Sequence, residues 1–111
     1  MTVELFTSES VTSGHPDKLC DAISDTIVDA CLAEDPHARV AVETLVKGAP
    51  EKSIIVLAGE VSLAGEAPDY ASLARSAAAA IGYTDHAIGM DATDPNLTDV
   101  HVHITTQAAN I

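Results

Sequence analysis

Residues 38–63 read ARVAVETLVKGAPEKSIIVLAGEVSL, and this stretch decides the fold. Its two halves, 38–47 and 53–63, are rich in Val and Ile, and GAPEK at 48–52 supplies a turn between them, so the spacing predicts two consecutive strands. A helical pattern flanks the pair on each side. Upstream, Leu19, Ala22, Ile23, Ile27, Ala30 and Cys31 recur at helical spacing from Pro16 to about Glu34. Pro16 suits the first helical position, where its missing N–H costs nothing, and Asp35-Pro36 ends the run. Downstream, a linker near GEAPD leads into a second helix, Tyr70 to Ile81, with Leu73, Ala77, Ala80 and Ile81 as the expected buried stripe. A polar loop with Asp91, Asp94 and Pro95 follows. From Leu97 to Thr105, Val100, Val102 and Ile104 alternate with Asp99, His101 and His103, as in a half-buried strand. At the other end LFTSESV reads as a short strand that Ser13-Gly14-His15-Pro16 breaks. The order β-α-β-β-α-β implies a two-layer α+β domain, its helices on one face of a mostly antiparallel sheet.

The chain has 111 residues, a length suited to one domain with its own core. Hydrophobic residues make up 47% of it, which argues against global disorder despite a formal charge of -12. So acidic a surface repels nucleic acid and anionic lipid, which excludes both as expected partners. No apolar run approaches the ~20 residues of a membrane span, and MTVELFTSES lacks the basic flank of a signal peptide. The expected compartment is the cytoplasm. Cys20 and Cys31 fit that compartment, because eleven residues along one helix separate them by ~16 Å, beyond disulfide reach. They are expected to be reduced core thiols.

Neither GxGxxG nor GxxxxGK[ST] occurs, so the common nucleotide loops are excluded. The segment TSESVTSGHPDK at 7–18 instead delivers an imidazole, a carboxylate and an ammonium group to a helix start. Unpaired N–H groups and partial positive charge there suit a phosphate chain, with His15 and Lys18 as further donors. Asp17 would hold a hard cation such as Mg²⁺. The plainer alternative makes His15 a helix cap and Asp17 a dipole partner.

Phe6-Thr7-Ser8-Glu9-Ser10-Val11, Gly14-His15-Pro16-Asp17-Lys18, Asp21-Ala22-Ile23-Ser24-Asp25, Arg39-Val40-Ala41-Val42-Glu43-Thr44 and Gly59-Glu60-Val61 closely resemble the N-terminal domain of S-adenosylmethionine synthetase (methionine adenosyltransferase). The resemblance covers nearly the whole chain, more loosely after residue 84. Family members are several times longer, with three similar α+β domains, so residues 1–111 are expected to be the first domain or a fragment of such an enzyme. The resemblance implies an enzyme that makes S-adenosylmethionine from ATP and L-methionine, releasing pyrophosphate and phosphate, with Mg²⁺ and K⁺ as cofactors.

Carried over by motif, His15 would be the catalytic residue, contacting the ATP triphosphate near the C5′ oxygen and stabilising the charge that develops there. Lys18 would add an ATP contact, Asp17 would bind Mg²⁺, and Glu43 corresponds to the family's potassium-site carboxylate. Glu60 corresponds to its methionine-binding glutamate, and Gln107 aligns with the glutamine that also touches methionine. The final Gln107-Ala108-Ala109-Asn110-Ile111 keeps the Gln and the Ile of a motif that reads roughly QSPDI. The resemblance also implies a homo-oligomer, a dimer or dimer of dimers, with His15 and Asp17 serving one site and Glu60 and Gln107 the other.

The bland explanations stand beside these roles. Asp21, Asp25 and Asp29 read as a solvated helix face, and His101 and His103, which have no counterpart in the family motifs, as an exposed sheet face rather than a metal grip. Glu60 follows the apolar run IIVLAG, where a carboxylate is costly unless paired or functional. Lys18, Arg39, Lys47, Lys52 and Arg75 are the only Lys and Arg, too few to gather countercharge around a triphosphate in one pocket. The isolated chain is therefore expected to be inactive and to need the remaining domains. The competing class is a non-catalytic acidic α+β binding module derived from that domain.

Overall fold

The computed structural model describes residues 16–48, 52–85 and 90–108, and the backbone alone at Pro16, Asp17, Asp85 and Ala108. The first expected strand, 5–11, lies outside these residues. Helix α1 (Pro16–Glu34) leads into β1 (Arg39–Lys47) and β2 (Ser53–Leu63). Helix α2 (Tyr70–Ala80), the short strands β3 (Thr84–Asp85) and β4 (Met90–Asp91), and a long β5 (Thr98–Ala108) follow. Both helices lie on one face of the sheet, the expected two-layer α+β arrangement.

The sheet order is β1-β2-β5. β1 and β2 pair antiparallel and β2 and β5 parallel, so the sheet is mixed rather than mostly antiparallel. The physical reason is the connection, because a chain that crosses over through a helix returns in the direction it left, whereas a tight turn reverses it. β3 and β4 form a separate antiparallel pair within the stretch expected to be loop.

Strand β2 shows how the layers are assigned. Ser53, Ile55, Leu57, Val61 and Leu63 are buried under the helices, while Ala58 and Glu60 are exposed on the other side. From α1, Leu19, Ile23, Ile27 and Cys31 form a fully buried stripe four residues apart. Each of its larger side chains contributes about 1.5–3 kcal/mol of burial. The Ser24 and Thr44 hydroxyls, 2.8 Å apart, tie α1 to β1 beneath the sheet.

In α2 the buried residues are Tyr70, Ala74, Ala77 and Ala78, a stripe rotated from the expected one. Leu73 is half-buried at its edge, Ala80 is exposed and Ile81 is 44% exposed. Small side chains let α2 approach α1 closely, so alanines take the contact that bulk alone would have assigned to Leu73 and Ile81. The helix is closed at both ends. The Asp69 carboxylate accepts the Ser72 amide at 3.1 Å. At the C-terminus Tyr83 N–H donates to Ala78 and Gly82 N–H to Ala79, a Schellman pair in which Gly82 adopts φ 111°.

Asp35 joins the ends of α1 and β2. Its carboxylate accepts the Ala64 amide at 2.8 Å and the His37 amide at 2.9 Å. These two bonds, with a smaller contribution from the nearby His37 ring, hold its pKa below the usual carboxylate range against the opposing effect of desolvation. Cys20 and Cys31 are buried thiols, and burial raises the pKa of Cys31. No helix among the described residues is long and apolar enough to cross a membrane.

Candidate functional site

The face of the sheet turned away from the helices carries Glu43, Glu60, His101, His103 and Gln107 of the polar residues singled out in the sequence. Strand pairing fixes their arrangement. In one row across the sheet Glu43, Ala58 and His103 are neighbours, in the next Ala41, Glu60 and Thr105, and in the third Arg39, Ser62 and Gln107. Glu60 therefore occupies the central strand. Glu43 and Arg39 on β1 and His103 and Gln107 on β5 are its diagonal neighbours, at roughly 7–8 Å between Cα atoms. All five side chains are exposed on this face.

Small residues leave room around the carboxylate. Ala41 and Ala58 are both exposed, and neither rises far above the sheet. The backbone is unusually tight here, because Gly59 takes φ 146° and a methyl group at that position would overlap the Ala41 carbonyl oxygen. Only glycine fits this approach of β1 to β2, one residue before Glu60.

Exposure of Glu60 corrects one step of the sequence argument. Its carboxylate stands in solvent rather than among the apolar residues that precede it, so no desolvation cost bears on its role in the chain as described. Glu43 behaves as its strand phase predicts, opposite in face to Val40 and Val42. His101 and His103 are exposed on the same face, next to Val56 and Ala58. Among the described residues no three His, Cys, Asp or Glu groups come together in a way that could hold a metal ion.

The second group of sequence candidates sits elsewhere. Lys18 is exposed on the first turn of α1, Asp17 is its second residue, and His15 lies outside the described residues. The end of α1 is tied to Ala64 beyond β2 through Asp35, and its middle to Thr44 through Ser24. Its start therefore points toward the beginning of β2, in the helix layer, while Glu60 and Gln107 lie near the far end of the opposite face. The chain does not bring Lys18 together with Glu60. Asp21, Asp25 and Asp29 are exposed along α1, as a solvated face should be.

Arg39 and Thr105 belong to the Glu60 environment but were not singled out by sequence reasoning. The signal for Arg39 was available, since the two-residue period of RVAVET puts Arg39, Ala41 and Glu43 in one phase. Thr105 becomes a neighbour only through the parallel pairing with β5.

Comparison with known proteins adds independent evidence. The family model described as S-adenosylmethionine synthetase, N-terminal domain, matches residues 3–109. S-adenosylmethionine synthase 1 of Rhodopseudomonas palustris (strain BisB18) is 56% identical over 91 residues, covering 82% of this chain and 22% of that protein. S-adenosylmethionine synthase of Treponema pallidum (strain Nichols) is 46% identical over 98 residues, 88% of this chain and 24% of that protein. The synthase of Myxococcus xanthus (strain DK1622) is 50% identical over 107 residues, 96% of this chain and 25% of that protein. The chain thus spans about a quarter or less of the length of these relatives.

Proposed function

The chain belongs to the S-adenosylmethionine synthetase N-terminal domain family, and on that premise we propose that it supplies part of the active site of an enzyme joining ATP and L-methionine. The products are S-adenosylmethionine, pyrophosphate and phosphate. The observation that carries this reading is the clustering of Glu60 and Gln107 on adjacent strands of the uncovered sheet face. An acidic side chain beside an amide suits the α-ammonium group of an amino acid, one offering charge and the other a directional hydrogen bond. Gln107 aligns the substrate, and Glu60 holds its amine.

At the other end of the chain His15 and Lys18 bind the triphosphate, and His15 stabilises charge developing at the C5′ oxygen as the bond to that oxygen breaks. The separation of Lys18 from Glu60 supports the division of these two groups between different active sites of a homo-oligomer, a dimer or dimer of dimers. The donor chemistry fits two hard cations, because Asp17 and the exposed Glu43 both offer carboxylate oxygens. Asp17 would hold Mg²⁺ and Glu43 would hold K⁺. Held there, such cations would offset triphosphate charge. With a formal charge of -12, the 111-residue chain alone is inactive and requires the remaining domains. The setting is cytoplasmic.

The test is turnover of the complete protein with ATP, methionine, Mg²⁺ and K⁺, alongside Glu60→Gln. Loss of one charged hydrogen bond, about 1.5–3 kcal/mol, should raise KM for methionine roughly 10- to 100-fold and leave KM for ATP nearly unchanged. Equal changes for both substrates would assign Glu60 a packing role. Absence of S-adenosylmethionine formation by the wild-type complete protein would remove the reading altogether.

A further inference from the structure

Tyr70 opens α2, and its ring is 8% exposed, yet its hydroxyl reaches across to β5 and lies 2.9 Å from the Thr106 hydroxyl. Thr106 immediately precedes Gln107. Side chains alternate along a strand, so Thr106 turns toward the helices while Gln107 turns to the uncovered face. A bond that fixes one of them fixes the backbone from which the other projects. The same helix also grips the start of β5, where the Arg75 guanidinium donates to the Thr98 carbonyl at 2.9 Å and to the Ala92 carbonyl at 3.0 Å. Helix α2 therefore holds β5 at both ends.

We infer that Tyr70 and Thr106 are positioning residues for Gln107, their hydroxyl pair setting where its amide stands relative to Glu60 on the neighbouring strand. This rests on the methionine-binding reading of Gln107. The geometry gives the pair a clear task. β5 is an edge of the described three-stranded sheet, and near Gln107 its backbone is anchored on one side by β2. The Tyr70 hydroxyl supplies a second anchor from the helix layer, out of register with the ladder, and so resists rotation of the strand about its own axis. Such rotation would swing a long exposed side chain like Gln107 farther than it moves the backbone. The aromatic ring is buried, so the hydroxyl is held by packing before the bond forms.

Steady-state kinetics of the complete enzyme with Tyr70→Phe, Thr106→Val, Thr106→Ser and the double variant Tyr70→Phe/Thr106→Val provide the test. The first two should each raise KM for methionine about three- to tenfold, with KM for ATP and the thermal midpoint little changed. The double variant should be no worse than either single one, because both remove the same bond. Thr106→Ser keeps the hydroxyl and should restore wild-type KM. Gln107→Ala separates the two levels of argument. If it raises KM for methionine while Tyr70→Phe and Thr106→Val do not, the positioning role is overturned and the methionine reading stands. If Gln107→Ala itself leaves KM for methionine unchanged, both are overturned. Equal shifts in both substrates' KM with a lowered thermal midpoint would show a merely structural bond and also overturn the inference.

Discussion

Replacing Gly59 with alanine measures how closely β1 is drawn to β2 beside Glu60. Two costs add. At φ 146° an L side chain is strained, a penalty of about 1–3 kcal/mol. A methyl group there also overlaps the Ala41 carbonyl oxygen and lies 2.9 Å from Val42 Cα. Both are backbone atoms, which cannot rotate aside, so the strand itself must shift at an overpacking cost of about 1–3 kcal/mol. The expected loss is therefore about 2–6 kcal/mol. Gly82 supplies the control, because it too has positive φ, 111°, but a methyl built on it meets nothing within 4 Å. Gly82→Ala should show the conformational cost alone, about 1–3 kcal/mol. Urea denaturation of both variants beside the wild type, followed by circular dichroism with m held common, gives the comparison. Gly59→Ala should be less stable than Gly82→Ala by about 1–3 kcal/mol, or roughly 4–8 °C in Tm for each kcal/mol. Equal destabilisation within about 0.5 kcal/mol would refute the close-approach argument, since only the crowding differs between the sites.

Asp35→Asn should lower stability at neutral pH, because the charged carboxylate is favoured by the Ala64 and His37 amides. The folded pKa lies below the unfolded value near ~3.9, so this contribution is full above that value and is lost as pH falls through the folded pKa. Thermal midpoints across pH 7 to 2 should show the gap between variant and wild type closing only on the acid side, and a pH-independent gap would contradict the account. Asp69→Ala removes the cap on Ser72 and should cost about 1 kcal/mol, read by denaturation, whereas Asp69→Asn keeps the accepting oxygen and should recover most of that loss.

Periodicity carried the sequence reading where packing obeyed it. The Leu19, Ile23, Ile27 and Cys31 stripe and the alternation of β2 were legible because each residue's burial follows from its place in a 3.6- or 2-residue period. Helix α2 departed because the sequence does not say which face a neighbour will approach, and four buried positions with three alanines outcompeted the bulkier Leu73. β3 and β4, two residues each, are too short to show any period, although Tyr83 just before β3 and Met90 within β4 are both buried. β5 extends to Ala108, past the Thr105 expected, because Thr106 and Gln107 find partners in Val61 and Ser62. The individual candidate residues stand out in their motifs. Their grouping was not, since the row that joins Arg39, Ser62 and Gln107 depends on a parallel pairing that no local pattern encodes.

That pairing also orders assembly in time. Ser53 meets Thr98 across 45 residues of chain, whereas Lys47 meets Ile54 across 7, so closing β2 onto β5 carries a larger entropic cost than closing the β1–β2 turn. The β1–β2 ribbon can form before the distant segment arrives. Glu43 and Glu60 are then on their common face early, and Gln107 joins them only when the whole crossover has condensed. Pulse-labelled amide exchange should find β5 protected last, and protection of β5 together with β1 would rule this sequence out. In that order of events, the completed row of Arg39, Ser62 and Gln107 across the sheet is a record that the chain has finished folding.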